Sequence, residues 1–278
     1  MFRTRFAPSP TGRLHLGHAA SAFAVWDAAC AAGGEVRLRI EDIDQTRCRA
    51  PFEAAILEDL AWLGLGWTGT IRRQSDHLDD YTALLNALRA RGLVYRCFLT
   101  RREIAARLPA GADPDEGGLV SRPLAPDDET ARLEHQLPFA WRLSLDAARR
   151  ALGPRFDDLA YLIWTPHGPS PVPARPDRFG DVVLARKDTP TSYHLACCHD
   201  DALQGITDIV RGEDLHAVTG VHALLQALMD WPRPVYRFHP LILGPDGRKL
   251  SKRFGSKTLQ DYRAEGMTPD DIRAMTRA

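Results

Sequence analysis

Arg5-Phe6-Ala7-Pro8-Ser9-Pro10-Thr11-Gly12-Arg13-Leu14-His15-Leu16-Gly17-His18 reads as a short strand running through a proline- and glycine-rich turn into the start of a helix. Phe2 to Phe6 alternate weakly, as a first strand does, and Pro8, Pro10 and Gly12 interrupt the pattern. Ala19 to Ala32 are strong helix formers, stopped by Gly33-Gly34. A strand feeding a helix through a tight turn sets the helix N-terminus at the end of a sheet. Free N–H groups and the positive end of the helix dipole then suit a phosphate. Gly17 lets a flat base approach the backbone. His15 and His18 are three apart, share one face of the first turn, and can donate to anionic oxygen without fixed charge.

The rest of the composition narrows the classes. The chain has 278 residues, 44% of them hydrophobic, enough for one large domain or two ordinary ones. Formal net charge is zero, so a nucleic-acid partner needs a local basic patch. No apolar run is long enough to span a membrane, and the first residues lack the core of a signal peptide. Cys30, Cys48, Cys97, Cys197 and Cys198 form no Cys-x-x-Cys, which argues against a disulfide framework and for a reducing cytoplasm. Of the four lysines (Lys187, Lys249, Lys252 and Lys257), three cluster near the C-terminus of an otherwise arginine-dominated chain. That cluster suggests sites where a compact ammonium is wanted.

Glu35 to Ile40 alternate as a half-buried strand and lead into Glu41-Asp42-Ile43-Asp44, at the sheet end where open α/β folds bind ligands. Asp42 and Asp44 read as ordinary loop acids. Pro51 opens a helix over Ile56, Leu60 and Leu63. Gly64 to Gly69 match G-x-G-x-x-G but follow a helix, so they read as a helix stop. Ser75 is expected to cap the next helix, up to Arg91. From Arg101 to about Arg178 prolines and glycines are dense, helical periodicity is short, and 166–176 reads as loop. Arg101, Arg102, Arg107, Arg149, Arg150 and Arg155 are candidate phosphate contacts there. Val182–Ala185 and Ile206–Val210 restore sheet signals, with a helix expected from about His216 to Met229. An extended run, Val235–Leu243, then precedes a turn and Arg248-Lys249-Leu250-Ser251-Lys252-Arg253.

The 5–18 stretch resembles the first signature of class I aminoacyl-tRNA synthetases in its glutamyl version. Residues 248–253 resemble the second, lysine-rich signature, and Arg39-Ile40-Glu41-Asp42 and Ile209-Val210-Arg211-Gly212-Glu213-Asp214 extend the likeness over nearly the whole chain. The resemblance implies an α/β fold. A Rossmann-like doubly wound parallel sheet, in halves 1–93 and 180–234, is split by an inserted α+β acceptor-binding-type subdomain at 94–179. The lysine loop and a short helical segment follow at 235–278, without an anticodon-binding domain. It also implies ATP, with Mg²⁺, as co-substrate, bound by His15, Gly17, His18 and Lys252. Catalytic roles fall to His15, His18, Lys249 and Lys252, with Lys252 stabilising departing pyrophosphate. L-glutamate would lie against Arg5, Phe6, Ala7, Pro8, Ser9, Glu41, Tyr193 and Arg211, with Glu41 on the α-ammonium. Charge supports the substrate: a buried Arg211 is costly unpaired, and a glutamate γ-carboxylate offsets it where glutamine does not. A structural bridge from Arg211 to Glu213 or Asp214 is the alternative. Some relatives hold zinc at the start of the insertion; here Cys97 has no further Cys or His until His135, so no zinc is expected.

The likeness is nearest to truncated paralogues of the glutamyl enzymes, which glutamylate the queuosine base in the anticodon of tRNA(Asp). A cytoplasmic monomer with no membrane partner is expected. Three other readings remain: a minimal enzyme charging a tRNA 3′ end, a non-catalytic RNA-binding paralogue, and a small-molecule adenylyltransferase.

Overall fold

A parallel sheet and a mixed sheet lie edge to edge. The computed structural model describes residues 1–108, 118–186, 189–243 and 257–277; Lys187, Lys249 and Lys252 fall outside them. The first sheet holds β1 (Arg3–Phe6), β2 (Glu35–Ile40) and β3 (Arg72–Arg73), linked through α1 (Leu16–Ala31) and α2 (Ala50–Trp62). The chain continues through α3 (Leu78–Ala90), β4 (Val94–Cys97), α4 (Arg101–Ala105), α5 (Pro126–Glu134), β5 (Ala140–Leu143) and α6 (Leu145–Leu152). Then come β6 (Ala160–Thr165), β7 (Gly168–Pro173), β8 (Val183–Ala185), α7 (Tyr193–Leu203), β9 (Asp208–Gly212), α8 (Thr219–Leu228) and β10 (Val235–His239). Helices α9 (Leu259–Ala264) and α10 (Pro269–Met275) end the described chain.

The second sheet runs β7-β6-β10-β9, with β6, β10 and β9 parallel. Thr207 joins the two sheets: its N–H donates to Arg3 O at 2.9 Å, and its Oγ1 accepts from Arg3 N at 2.9 Å. The starts of β1 and β9 are thereby side by side. From β1 the chain moves outward to β2 and β3 on one side, and from β9 outward to β10 on the other. The C-terminal ends of β1 and β9 therefore flank the switch point at which open α/β sheets bind ligands. α1 packs across β1, β2 and β9, burying Leu16, Phe23 and Val25 with Leu38, Ile56 and Leu60. Leu259 of α9 and Ile272 of α10, both fully buried, join that cluster, each worth about 1.5–3 kcal/mol of burial.

Strand pairing crosses the boundaries expected from sequence. The β6–β7 hairpin, inside the expected insertion, is bonded to β10, while β8 sits in a separate antiparallel sheet, β4-β5-β8. Which strand finds which open edge is not written in local composition. β7 also replaces a loop expected at 166–176. Its prolines, Pro169, Pro171 and Pro173, fall on alternate residues, the positions of an edge strand that give no N–H to the neighbour, so the ladder to β6 survives. Ser75 does not cap α3, which begins at Leu78 behind His77. Its N–H and Oγ instead donate to Asp42 at 2.8 and 2.5 Å, so Asp42 ties the two loops together. Gly64, at φ +71°, ends the second helix as the sequence indicates.

Gly220, in the first turn of α8, is placed so that a Cβ would lie 1.9 Å from Ala174 O. Gly220→Ala is expected to destabilise by about 1–3 kcal/mol. Alanine's helix advantage of about 1 kcal/mol is the smaller effect against a backbone clash. The denaturation midpoint checks it; an unchanged or raised midpoint would contradict the packing.

Candidate active site

The α1 N-terminus is closed by its own histidines. His15 is the N-cap, its Nδ1 accepting from Gly17 N at 3.1 Å, and His18 Nδ1 accepts from His15 N at 3.2 Å. The N–H groups of His18 and Ala19 bond to His15 O. Three of the amides expected to be free at this turn, those of Gly17, His18 and Ala19, are therefore already used. The chemistry moves to the rings: an imidazole whose Nδ1 accepts carries its proton on Nε2. Both rings, 3.8 Å apart between centroids, then carry their proton on Nε2, beside the positive end of the helix. Thr258 forms a β-bridge with His15, and Leu259 N donates to Leu14 O at 2.9 Å. The chain thus comes to this turn six residues after Lys252.

Beside it, arginines at the ends of the first three strands converge on two acids of α7. Asp201 Oδ1 accepts from Arg5 Nε at 3.0 Å and Arg39 Nη2 at 2.6 Å. Asp200 accepts from Arg72 Nε at 2.9 Å, Gln74 Nε2 at 3.0 Å and Tyr81 OH at 2.8 Å. Burial alone would raise the Asp200 carboxyl, but the His199 hydrogen bond, the Arg39 charge and the Gln74 bond hold it down at about 2. Arg39 is fully buried, and its guanidinium stays charged because Asp201 and Asp200 outweigh its desolvation.

Arg211, at the end of β9, differs. It is buried, yet among the described residues no carboxylate pairs with it. Its Nη1 donates to His222 Nδ1 at 3.3 Å and its Nη2 to Thr219 Oγ1 at 2.6 Å, while Nε has no partner. The bridge to Glu213 or Asp214 considered from sequence is not formed. The rings of Tyr236 and Phe238 lie 4.9 and 5.7 Å from its Cζ. Glu41 is the complementary case. Its carboxyl is nearly buried, with Arg39 Nη1 3.8 Å away, beyond hydrogen-bonding distance. Burial pushes it up to about 7, against the pull of Arg39 and Arg5. Tyr193 opens α7 in electrostatic reach of Arg211, Glu41 and Arg5, and burial raises its phenol.

The structure thus brings Arg5, Glu41, Tyr193 and Arg211 together, with His15, Gly17 and His18 on α1. Lys249 and Lys252 lie outside the described residues. Pro8 O accepts from Glu41 N at 3.1 Å, and Ala7 and Ser9 lie in the same turn. Phe6 packs its ring edge-on against Trp26 at 5.7 Å, so only its backbone is left for a ligand. Arg39, Asp200, Asp201, His194 and His222 were not singled out from sequence. The available signal was an arginine on each of three strand ends facing one Asp-Asp pair. Of the candidate phosphate contacts, Arg149 pairs with Asp157 and Arg155 with Asp230 on the surface, weak links that a phosphate could replace. Cys97 is buried with Tyr95, Ile104 and Leu119. Among the described residues no helix is long and apolar enough to cross a membrane.

Comparison with known proteins agrees with this geometry. The family profile described as tRNA synthetases class I (E and Q), catalytic domain, matches residues 1–277. A Rhodobacter capsulatus protein named glutamyl-Q tRNA(Asp) synthetase is 46% identical over 98% of this chain and 98% of its own length. The glutamate–tRNA ligase of Aquifex aeolicus is 35% identical over 97% of this chain, which spans 55% of that enzyme. A glutamate tRNA ligase from Elizabethkingia meningosepticum, solved in complex with its amino acid, superposes with TM-score 0.74 at 29% identity, covering 99% of this chain and 60% of that one. The chain is a ligase of the class I tRNA synthetase family, in its glutamyl and glutaminyl branch.

Proposed function

We propose that the protein activates L-glutamate with ATP and transfers it to the queuosine base in the anticodon of tRNA(Asp). One observation carries the amino-acid assignment. Among the described residues, a buried guanidinium with no carboxylate against it, Arg211, and a nearly buried carboxyl with no hydrogen-bond donor on it, Glu41, flank Tyr193. An acidic zwitterion satisfies both, its side-chain carboxylate on Arg211 and its ammonium on Glu41. Its α-carboxylate is left to attack the α-phosphorus of ATP. A P–O bond forms there, the α–β bridging bond breaks, and pyrophosphate leaves. The two Nε2–H donors of His15 and His18 stabilise charge building on the phosphate oxygens, and Gly17 leaves room for the base. Lys249 and Lys252 would attend the leaving pyrophosphate. Mg²⁺ enters as part of the nucleotide substrate. The relative named for queuosine chemistry, matched over nearly its full length, supports the base as acceptor. We place a monomer in the cytoplasm, where five free cysteines stay reduced.

Glutamate-dependent ATP–pyrophosphate exchange, run with glutamate, glutamine and aspartate and with and without tRNA, tests activation. No exchange with glutamate overturns it. The likeness to glutamate–tRNA ligases favours one rival, charging of the tRNA 3′ end. Labelled glutamate that still transfers to tRNA with a blocked 3′ end supports the base as acceptor. Equal transfer to tRNA lacking queuosine refutes it.

Glu41 gives a pH dependence. Its carboxyl, near 7 when unoccupied, must be ionised to hold an ammonium, and the protonated form dominates below that pH. KM for glutamate is expected to rise by about tenfold per pH unit below 7 and to level off above it. A KM independent of pH between 5.5 and 7 removes Glu41 from ammonium binding.

A further inference from the structure

Behind Arg211 lies a cluster that the proposed reaction does not use. Cys197, Cys198 and His222 are buried and bring one ligand-type atom each within 4.8 Å of one another, which has the form of a metal site. The surroundings oppose a cation: Arg211 Nη1 stands 3.3 Å from His222 Nδ1, and burial together with Cys197 raises the Cys198 thiol, keeping it protonated.

The hydrogen-bond directions are fixed from one end. Arg211 can only donate, so His222 Nδ1 accepts and the ring proton sits on Nε2. His222 Nε2 lies 3.1 Å from His194 Nδ1, which must accept in turn, leaving the His194 proton on Nε2. Burial and the Arg211 charge both disfavour imidazolium here, holding His194 down at about 4 and His222 well below its ordinary value. The other acceptor of Arg211, Thr219 Oγ1, is neutral too and passes its own proton to Leu215 O at 3.3 Å. Arg5, Arg39 and Arg72 each meet a carboxylate, whereas among the described residues Arg211 meets only neutral oxygen and nitrogen.

We infer that His222, oriented by His194, is a positioning residue that sets the preference for an acidic side chain: it aims Arg211 through a neutral acceptor and leaves the full guanidinium charge for the incoming carboxylate. This rests on the amino-acid assignment above. An acid at 222 would supply that carboxylate from within the protein.

The test is exchange kinetics and calorimetric glutamate binding on the full chain, with melting temperature measured alongside, for His222→Asp, His222→Gln and His222→Leu. His222→Asp is expected to raise KM for glutamate about 100-fold or more, to leave KM for ATP within about threefold, and to collapse the preference over glutamine. His222→Gln, a neutral acceptor of similar reach, should stay within about fivefold of wild type, and His222→Leu should fall between them. Folded His222→Asp with wild-type glutamate preference overturns the inference, as does equal loss in Gln and Asp variants. If the Asp variant does not fold, the Gln–Leu pair decides: rescue by Gln supports the role and no difference refutes it. Wild-type protein without glutamate exchange or binding sinks the functional reading itself, an outcome distinct from normal wild-type exchange with insensitive variants.

Discussion

Arg211→Met is expected to lower kcat/KM for glutamate activation by roughly 10³-fold while leaving the folded state as stable as wild type or more so. The two effects separate because of what surrounds the side chain. Among the described residues Arg211 is buried without a carboxylate, its Nε unbonded, over the rings of Tyr236 and Phe238. Taking a charge out of such a place relieves desolvation, and a thioether packs well on aromatic faces. The substrate loses its only proposed counter-charge for the γ-carboxylate. Exchange kinetics and a melting curve on the same preparation measure both. A variant that unfolds several kcal/mol more easily would make Arg211 a structural residue and end the argument for glutamate.

Asp201→Ala should do the reverse to the fold, destabilising it by about 3–5 kcal/mol. One carboxylate oxygen there serves Arg5 and Arg39 together, both buried, and Arg39 Nη1 already lacks a hydrogen-bond partner. Removing the acid takes from Arg5 its ion pair and leaves Arg39 to the neutral Gln204 Oε1, 2.7 Å from its Nη2, and to Asp200 at 3.7 Å. Denaturant titration reads this directly; a loss below about 1 kcal/mol would show that the strand ends are held by packing alone. Neighbouring Asp200 adds a pH signature. Its folded value of about 2 lies below the ordinary carboxylate range, so its contribution is complete above about pH 4 and is lost as pH falls toward 2.

Much of this site is legible before any coordinates. The turn at 5–18 announces itself because proline, glycine and histidine act locally, on backbone angles and a helix end. Glu41 and Arg211 can be found because each closes a strand. Arg39 could not be read the same way: in Glu35–Ile40 it occupies the apparent solvent face of a period-two pattern, and only the packing of α7 across that face buries it. The arginine partners of Asp200 and Asp201 lie more than 100 residues away in sequence, so no local spacing reveals them. His222 shares α8 with Thr219, Gln226 and a run of apolar residues, and its meaning depends on Arg211 reaching it from β9. The edge strand at 168–173 was hidden by the prolines that loops also favour.

Those prolines have a consequence beyond local structure. Among the described residues the combined sheet has two free margins. One is β3, two residues long; the other is β7, where every second residue lacks an amide hydrogen. Neither offers a template on which another chain's strand could grow. The protein can keep its strand tips open to small molecules at the switch point while these two margins stay closed to strand addition, by the same residues that disguise the strand.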